Sequence, residues 1–384
     1  MSRHHVIIGD GITAAAFLAN VVARIGDTVT LIGPNVYRFG AGLAYLEHGT
    51  DQPWRLAYLL DQPNGAMGAG FVRWLERHWQ TLYEEIALTQ PYHIERWQPV
   101  LGEADLSRFD APRAIYGRYV SERALEDMER LSGKGVTIRR ITGLATQSAR
   151  QGNRFRITLS TGEVILADSV DVATGGPANE RFGPDSGPTA FTTLYGNETA
   201  LFEALDTVPE VACIGASRQV LDLVQFLRSV RPGRDLTLRV IGSDSAEKLA
   251  DDPAYQCLLR EGRISEEPGV VTWVYAEAPG RVRVRLRRQD GMSQEFVLPL
   301  VVNTGGPGQH LALDLFVSGM IAEGWLRLNG DKTGIELGGD LDGELPGLRY
   351  MSTAVTAIGG AKTDVSSLGL EPLIQVMRAR AAPR

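Results

Sequence analysis

Three small residues near the N-terminus, Gly9, Gly11 and Ala14, have the spacing G-x-G-x-x-A, which binds the pyrophosphate of a dinucleotide. The first glycine allows a tight turn, the second lets the backbone approach the phosphates, and the third small residue lets a helix pack closely on its strand. The helix N-terminus at Ile12 and Thr13 offers free N–H groups to the phosphate. These residues indicate dinucleotide binding, with an ordinary β-α-β turn as the alternative.

The sequence around the motif supplies the strand, turn, helix and strand that it requires. Residues 6–8 are a short apolar run, typical of a buried parallel strand. A helix is predicted over about residues 12–25, and a second strand over residues 28–32. After that strand an acidic residue usually accepts hydrogen bonds from the ribose hydroxyls, but this chain has Gly33. We expect either the side chain of Asn35 or the backbone to replace the acid.

A second strand, turn and helix are predicted within the segment EVACIGASRQVLDLV, residues 210–224. Gly215 holds the first glycine position, whereas Ser217 and Val220 stand at the second and third. We expect Ser217 to direct a side chain toward the pyrophosphate and Val220 to push the helix away from its strand. Each of the two units is followed later by a strand that ends in Thr-Gly-Gly, at 174–176 and 304–306.

The composition limits the class of protein. The 384 residues suffice for two or three domains, and the net charge of −7 argues against nucleic acid or an anionic membrane as a partner. No apolar run reaches the length of a membrane span, and the chain enters a strand without a signal-peptide pattern. Cys213 and Cys257 have no metal-ligand spacing. We expect a cytoplasmic protein that acts on a small molecule and binds no metal. Its oligomeric state is open.

Six segments occur in an order that is typical of a known family. They are IIGDGITAAAF (7–17), GAGLAY (40–45), LLDQPNGAM (59–67), FVRWL (71–75), PRAIYGRYV (112–120) and VATGGP (172–177). Together they resemble the flavoproteins with two dinucleotide-binding domains, and in particular the FAD-NAD(P)-binding group. That group is remotely similar to flavin N-hydroxylases and Baeyer–Villiger-type monooxygenases. The resemblance covers about the first 230 residues well, and the C-terminal third only loosely.

The resemblance implies an α/β fold. In it, a Rossmann-like FAD domain is split in sequence by a second, smaller Rossmann-like domain of the NAD(P) type. We place the FAD domain at residues 1–205 and 311–384, and the inserted domain at residues 206–310. The cofactors expected are FAD in the first domain and NADPH or NADH in the second.

The resemblance also implies which residues contact the cofactors. Those assigned to the cofactor sites are Gly9, Gly11, Ile12, Thr13, Ala14, Asn35, Gly42, Leu43, Arg118, Thr174, Gly175, Gly215, Ser217, Arg218, Gly359 and Gly360. Arg113 and Arg118 are expected to hold the FAD pyrophosphate or a substrate carboxylate, or else to brace the start of a helix.

Two residues, His48 and Asp61, lie in the loop expected near the flavin. Either is a candidate proton carrier, and we assign both to the catalytic site. The alternatives are an exposed loop histidine and a turn residue that precedes Pro63. The family usually has Asn where this chain has Asp61, so the added carboxylate is expected to change the chemistry of the loop.

The second motif departs from the family pattern G-x-G-x-[ST]-A-x-D, of which Gly215 and Asp222 remain. NAD(P)H binding at this unit is therefore open. Arg218 offers a contact to the 2′-phosphate of NADPH, with a surface helix arginine as the alternative.

Three functions follow. The first is an FAD-dependent oxidoreductase of the monooxygenase type, which acts on a small metabolite and is reduced by NAD(P)H. The second is a flavoenzyme whose nicotinamide site has decayed, either reduced by its own substrate or catalysing a non-redox reaction. The third is a non-catalytic flavoprotein partner.

Overall fold

The structure is a computed structural model. It describes residues 2–47, 56–60, 62–176, 181–182, 188–242, 247–306, 314–330, 332, 334–338, 341, 343–352, 356–358, 361–362 and 369–381.

The strands run in chain order. They are β1 (His4–Ile8), β2 (Thr28–Gly33), β3 (Thr137–Thr142), β4 (Ala145–Gln151), β5 (Arg154–Leu159), β6 (Val164–Ala167), β7 (Ser169–Val172), β8 (Ala190–Phe191), β9 (Glu210–Ile214), β10 (Thr237–Ile241), β11 (Ile264–Glu267), β12 (Val270–Ala278), β13 (Arg281–Arg287), β14 (Ser293–Leu298), β15 (Val301–Asn303), β16 (Arg327–Leu328), β17 (Ile335–Leu337), β18 (Leu348–Tyr350), β19 (Thr356–Ile358) and β20 (Ala361–Lys362).

The α-helices are α1 (Ile12–Ala19), α2 (Asn64–Met67), α3 (Ala69–Thr89), α4 (Pro91–Gly102), α5 (Arg113–Gly133), α6 (Glu198–Thr207), α7 (Gln219–Gln225), α8 (Glu247–Ala250), α9 (Pro253–Arg260), α10 (Leu315–Ala322) and α11 (Leu370–Ala381). Short 3₁₀ turns occupy Val36–Arg38 and Leu106–Arg108, and a π-helical turn, Phe226–Val230, follows α7.

The first sheet has the strand order β18-β7-β1-β2-β3, with all neighbours parallel. Its central strand, β1, is buried at Val6, Ile7 and Ile8, as the apolar run predicts. β1 lies between β2 and β7, so the strand order reverses beside it. In parallel α/β sheets, ligands bind at the carboxyl ends of the strands at such a reversal. The turn after β1 is therefore where this sheet would take a ligand.

The second sheet repeats this arrangement. Its order is β11-β10-β9-β15-β8, again with all neighbours parallel. β9 lies between β10 and β15 as β1 lies between β2 and β7. The α/β fold class, with two Rossmann-like units, is thereby confirmed.

The boundary between the two units lies earlier in the chain than residue 206. β8, at Ala190–Phe191, pairs with β15 of the second sheet. Leu201, Phe202 and Leu205 of α6 are buried in the core beneath that sheet. We therefore call the described residues of 4–176 and 314–381 the first unit, and those of 181–306 the second unit.

The C-terminal part returns to the first unit. β18 extends the first sheet beside β7, and α11 packs against α1. The Nε of Arg378 on α11 donates to the Oδ1 of Asn20, 3.2 Å away. The chain thus leaves the first unit after β7 and comes back to complete it.

Helix α1 ends earlier than the sequence indicates. The prediction of a helix to about residue 25 is wrong, because α1 stops at Ala19. Asn20 terminates it: the Nδ2 of this residue donates to the carbonyl of Ala16, 2.9 Å away. Val22, which the predicted helix would include, is 88% exposed.

Three smaller sheets complete the described part of the molecule. β4, β5 and β6 form one antiparallel sheet, and β12, β13 and β14 form another. β16, β17, β19 and β20 form the third. None of the helices described in the structure combines the length and apolar character that crossing a membrane requires.

Candidate functional site

The first turn begins at Gly9, which has φ +115°. A Cβ placed on Gly9 would lie 2.1 Å from the carbonyl oxygen of Ala173, at the end of β7. The amide of Gly9 donates to the carbonyl of Ile32, 2.8 Å away, at the end of β2. The turn is thus held between the ends of both neighbouring strands, and only glycine fits there.

The close-approach position is Gly11, the N-cap of α1. Among the described residues no side chain caps this helix, and its first turn contains no acidic residue. The first N–H groups of a helix have no partner within the helix, so they are available to an anion. Ala14 is fully buried against the sheet, as the motif requires for close packing.

A second glycine segment lies against this turn. The amides of Gly40 and Gly42 both donate to the backbone carbonyl of Asp10, over 2.7 and 3.1 Å. Gly42 has φ +56°, and a Cβ on it would lie 3.0 Å from the Cα of Gly11. Two stretches of bare backbone therefore meet at the start of α1. This cradle fits a pyrophosphate, because side chains at Gly11 or Gly42 would fill the space beside the helix N-terminus.

An acidic residue that the sequence analysis did not assign, Asp10, lies at the same place. Its side chain is 7% exposed, and its Oδ2 accepts the amide of Asn35 over 2.5 Å. Burial raises the pKa of the Asp10 carboxyl, and the hydrogen bond from Asn35 opposes that shift. The sequence signal that could have identified Asp10 is its position as an acid between the two glycines of the motif. Asn35 contributes its backbone amide to this contact.

The crossover after β7 carries the next predicted residues. The Oγ1 of Thr174 donates to the Oδ2 of Asp314, 3.2 Å away, at the N-cap of α10. Gly175 has φ +82°, and no described atom lies within 4 Å of where its Cβ would be; its carbonyl accepts the Oγ–H of Ser352 over 2.7 Å. Leu43 is half exposed and lies toward Gly196 of the second unit.

Arg118, on α5, donates hydrogen bonds to two carboxylates on other segments of the first unit. Its Nη1 donates to Glu85 over 2.8 Å, and its Nε donates to Glu47 over 3.1 Å. The hydrogen bonds that Arg118 donates, to Glu85 above all and then to Glu47, raise the pKa of its guanidinium, against the effect of its burial. Arg118 thus joins α5 to α3 and to the segment at Glu47, and the roles considered for it stay predictions.

Arg113 is also engaged within the protein. It is 5% exposed, and its Nε donates to the carbonyl of Leu59 over 2.6 Å. Its guanidinium lies over the ring of Tyr195, 5.2 Å from the centroid. Arg113 therefore joins α5 to the segment that precedes residue 61 and to the second unit.

The second turn follows the same backbone path with different side chains. Gly215 has φ +96°, and a Cβ on it would lie 2.6 Å from the Cα of Gly305. Ser217 donates its hydroxyl to the carbonyl of Thr304 and accepts the amide of Gln219 over 3.2 Å. The serine side chain thus points to the crossover, which differs from the expectation that it points toward a pyrophosphate. Val220 is fully buried in the core of the second unit.

Two charged residues of this turn reach the first unit. The Nη2 of Arg218 lies 3.7 Å from the Oδ2 of Asp110. Asp222 is 2% exposed, and its Oδ1 accepts the amide of Leu59 over 2.9 Å. The other oxygen accepts the hydroxyl of Tyr195 over 3.4 Å. The helix after the second turn is therefore fixed to the segment just before residue 61.

Four predicted residues lie outside the described part of the chain: His48, Asp61, Gly359 and Gly360. Their roles stay predictions. Among the described residues, no group of three potential metal ligands comes together.

Two parallel sheets, each with a glycine turn after its central strand, define the class of proteins with two dinucleotide-binding folds. Residues 6–177 match the model of the family described as FAD-NAD(P)-binding. This match confirms the predicted resemblance and the predicted cofactor class, FAD with NAD(P)H. No curated protein sequence matches the chain.

Solved structures of several flavoproteins share the fold over the whole chain. The ornithine N-hydroxylase of Kutzneria sp. 744 is 14% identical with a TM-score of 0.58, covering 99% of this chain and 98% of that one. The bacillithiol disulfide reductase of Staphylococcus aureus is 13% identical with a TM-score of 0.56, covering 100% of both chains. The lysine monooxygenase of Nocardia farcinica is 17% identical with a TM-score of 0.54, covering 98% and 100%. At these identities the likeness concerns the fold alone.

Proposed function

We propose that this protein is an FAD-dependent oxidoreductase of the monooxygenase type, which acts on a small metabolite and takes electrons from NAD(P)H. The observation that carries the proposal is the first turn. There the bare backbone at Gly11 and Gly42 meets an uncapped helix N-terminus at the strand-order reversal of a sheet within an FAD/NAD(P)-binding domain. FAD, when bound there, supplies the redox chemistry.

The residues of the chain have separate roles in this proposal. Gly9, Gly11 and Gly42 bring the backbone to the pyrophosphate, and the N–H groups at Ile12 and Thr13 stabilise its charge. The contact between Asp222 and the amide of Leu59 holds the second unit against the segment that leads to Asp61. Asp61 and His48 keep their proposed role as proton carriers near the flavin.

The chemistry of the cysteines favours the monooxygenase type over a disulfide reductase that relays electrons through its own thiols. The sequence contains two cysteines, and both are free thiols. Cys213 is fully buried on β9, and its burial raises the pKa of the thiol to about 12. Thiol–disulfide exchange needs an accessible thiolate, which Cys213 does not provide. A relay pair would therefore require rearrangement of a central strand.

The second turn favours one alternative, a flavoenzyme reduced by its own substrate. The hydroxyl of Ser217 donates a hydrogen bond to the carbonyl of Thr304. The Cβ of Ser217 occupies the position where a glycine normally lets the pyrophosphate approach the backbone. A nicotinamide cofactor would have to bind beside this side chain. The alternative keeps FAD at the first turn and removes NAD(P)H from the second.

An absorbance experiment separates these functions. The purified protein is expected to show a flavin spectrum, which anaerobic NADPH or NADH bleaches and air restores. A flavin that stays oxidised with both nicotinamides would replace the first proposal by the substrate-reduced enzyme. A protein that neither retains nor rebinds FAD would contradict both.

A cysteine control tests the reductase type. The double variant Cys213→Ala/Cys257→Ser is expected to be reduced by NAD(P)H, and reoxidised by air, at the rate of the unmodified protein. If the unmodified protein reduces an aromatic disulfide probe with NAD(P)H and the double variant does not, the enzyme is a disulfide reductase and the monooxygenase proposal is wrong.

A further inference from the structure

We propose that Asp10 binds the adenosine ribose of FAD, in place of the acidic residue that the chain lacks at position 33. The inference rests on the proposed function, because it requires FAD at the first turn. It concerns a binding residue and does not depend on which reaction the flavin performs.

The space beside Gly33 shows why the two positions are alternatives. A Cβ placed on Gly33 would lie 2.6 Å from both the Cβ and the Oδ2 of Asp10. The side chain of Asp10 therefore occupies the space into which a side chain at position 33 would extend. Gly33 is not among the residues with positive φ, so the requirement for glycine here is the space that Asp10 takes.

The position of the carboxylate is the one that ribose recognition needs. β1 and β2 are parallel neighbours, with Ile8 opposite Ile32, so the residues that follow them share the carboxyl edge of the sheet. When a pyrophosphate binds at the N-terminus of the helix after β1, the adenosine ribose lies over the end of β2. Asp10 follows β1 in sequence, but its side chain reaches the end of β2.

The backbone holds the carboxylate in this direction. The carbonyl of Asp10 accepts the amides of Gly40 and Gly42, and its Oδ2 accepts the amide of Asn35. These three bonds fix both the main chain and the side chain. The carboxylate is therefore oriented by the protein before a ligand arrives.

The cost of burial points to a ligand rather than to a purely structural role. Within the described residues the carboxylate of Asp10 forms no ion pair, and the amide of Asn35 is the one donor that it accepts from another residue. The carboxylate of a residue that is 7% exposed, held by the amide of Asn35 and by its own amide, is stabilised when further donors bind it. The vicinal hydroxyls of a ribose are such donors, and a carboxylate can accept both.

The test compares two ligands on the apoprotein by titration calorimetry: FAD, and an FAD analogue whose adenosine lacks the 2′-hydroxyl. The unmodified protein is expected to bind FAD about tenfold more tightly than the analogue, the effect of one hydrogen bond to a charged acceptor. In Asp10→Asn, which retains an oxygen for the amide of Asn35, this discrimination is expected to fall to about twofold or less.

A swap variant gives a positive result that loss of structure cannot imitate. Gly33→Glu alone is expected to lose FAD binding, because the new side chain collides with Asp10. The double variant Asp10→Gly/Gly33→Glu moves the acid to the usual position, and is expected to restore both FAD affinity and discrimination to within about threefold of the unmodified protein.

Asp27→Asn is the matched control. Asp27 is another buried aspartate, and it accepts the amides of Arg3 and Arg24 at the opposite edge of the same sheet. Its variant is expected to lose stability and to keep the discrimination between the two ligands.

Three results would overturn the inference. If Asp10→Asn folds and discriminates as the unmodified protein does, Asp10 only braces the loop at Asn35. If the unmodified protein binds FAD and the analogue equally, no residue reads this hydroxyl, and the proposed function still stands. If the unmodified protein does not bind FAD, the inference falls together with the proposed function.

Discussion

The first and second turns share a backbone path and differ in where their side chains go. Gly9 and Gly215 both have positive φ. Each packs against the residues that follow a neighbouring strand, which is β7 in the first unit and β15 in the second. At the next motif position, Gly11 leaves the helix N-terminus bare, whereas Ser217 binds its hydroxyl to the neighbouring crossover. The fold therefore requires the first glycine in both units. The second position decides whether a phosphate can approach.

The polar residues show the same contrast. Asp10 at the first turn is bound by the backbone of its own unit, through Asn35. Arg218 and Asp222 at the second turn are bound to the first unit, at Asp110 and Leu59. The second turn thus serves as an attachment between the units, and any nucleotide there shares its surroundings with that attachment.

Replacement of Gly9 by Ala has the largest expected effect. Its Cβ would lie 2.1 Å from a backbone oxygen, and alanine is strained at φ +115°. We expect a loss of more than about 4 kcal/mol in the free energy of unfolding, and no retained flavin. Thermal unfolding and flavin absorbance measure both.

Gly152→Ala is the control for that variant. Gly152 has φ +62°, but no atom of the described residues lies within 4 Å of its added Cβ. Its variant is expected to lose about 1–2 kcal/mol from backbone strain alone. Equal losses for the two variants would show that contact with Ala173 does not determine the first turn.

Removal of the Asp222 carboxylate tests the attachment between the units. Asp222→Ala leaves the amide of Leu59 without its acceptor in a partly buried position, and we expect a loss of about 2–3 kcal/mol in the free energy of unfolding. Asp222→Asn keeps an acceptor and is expected to lose less. Denaturant unfolding measures the difference.

Asp127→Ala removes a carboxylate that pairs with Arg130 on the surface of α5, and is expected to change stability by less than about 0.5 kcal/mol. If Asp222→Ala resembles this control, the second turn is not an attachment point.

Ser217→Gly makes the second turn resemble the first. We expect NADPH to bind about tenfold more tightly, since removal of the Cβ relieves about 1.4 kcal/mol of steric cost. Ser217→Ala loses only the hydroxyl and is expected to improve binding less. Fluorescence titration with NADPH measures both variants. Unchanged affinity in the glycine variant would mean that Ser217 does not limit the site.

Arg218→Ala has the smallest expected effect. Because Arg218 pairs with Asp110, we expect the ratio of NADPH to NADH affinity to change by less than about threefold. The same titration with both nicotinamides measures this ratio. A selective loss of NADPH affinity would instead assign the 2′-phosphate to Arg218, as the sequence first suggested.

The sequence predicted the features that depend on neighbours along the chain. The apolar run at residues 6–8 and the positive-φ glycine that follows it are local, and the structure has both. The predicted end of α1 was wrong. The apolar pattern continues past Asn20, whereas the side chain of Asn20 terminates the helix.

The contacts that decide the chemistry of the two turns join distant residues. Ser217 and Thr304 are 87 residues apart, and Asp10 and Asn35 are 25 apart. No periodicity records such a pair. The sequence shows an acid at position 10 and none at position 33, but only the packing of Asp10 against Gly33 connects the two positions.

The return of the chain to the first sheet has a consequence for synthesis. A chain is synthesised from its N-terminus onward. The strands of the second sheet all lie within residues 190–303. All strands of the second sheet are therefore synthesised before β18 and α11 of the first unit. Until they arrive, the edge of β7 and one face of α1 are uncovered. Uncovered strand edges pair with other chains. The edge of β7 is therefore open to such pairing until the segment from β18 to α11 has been made.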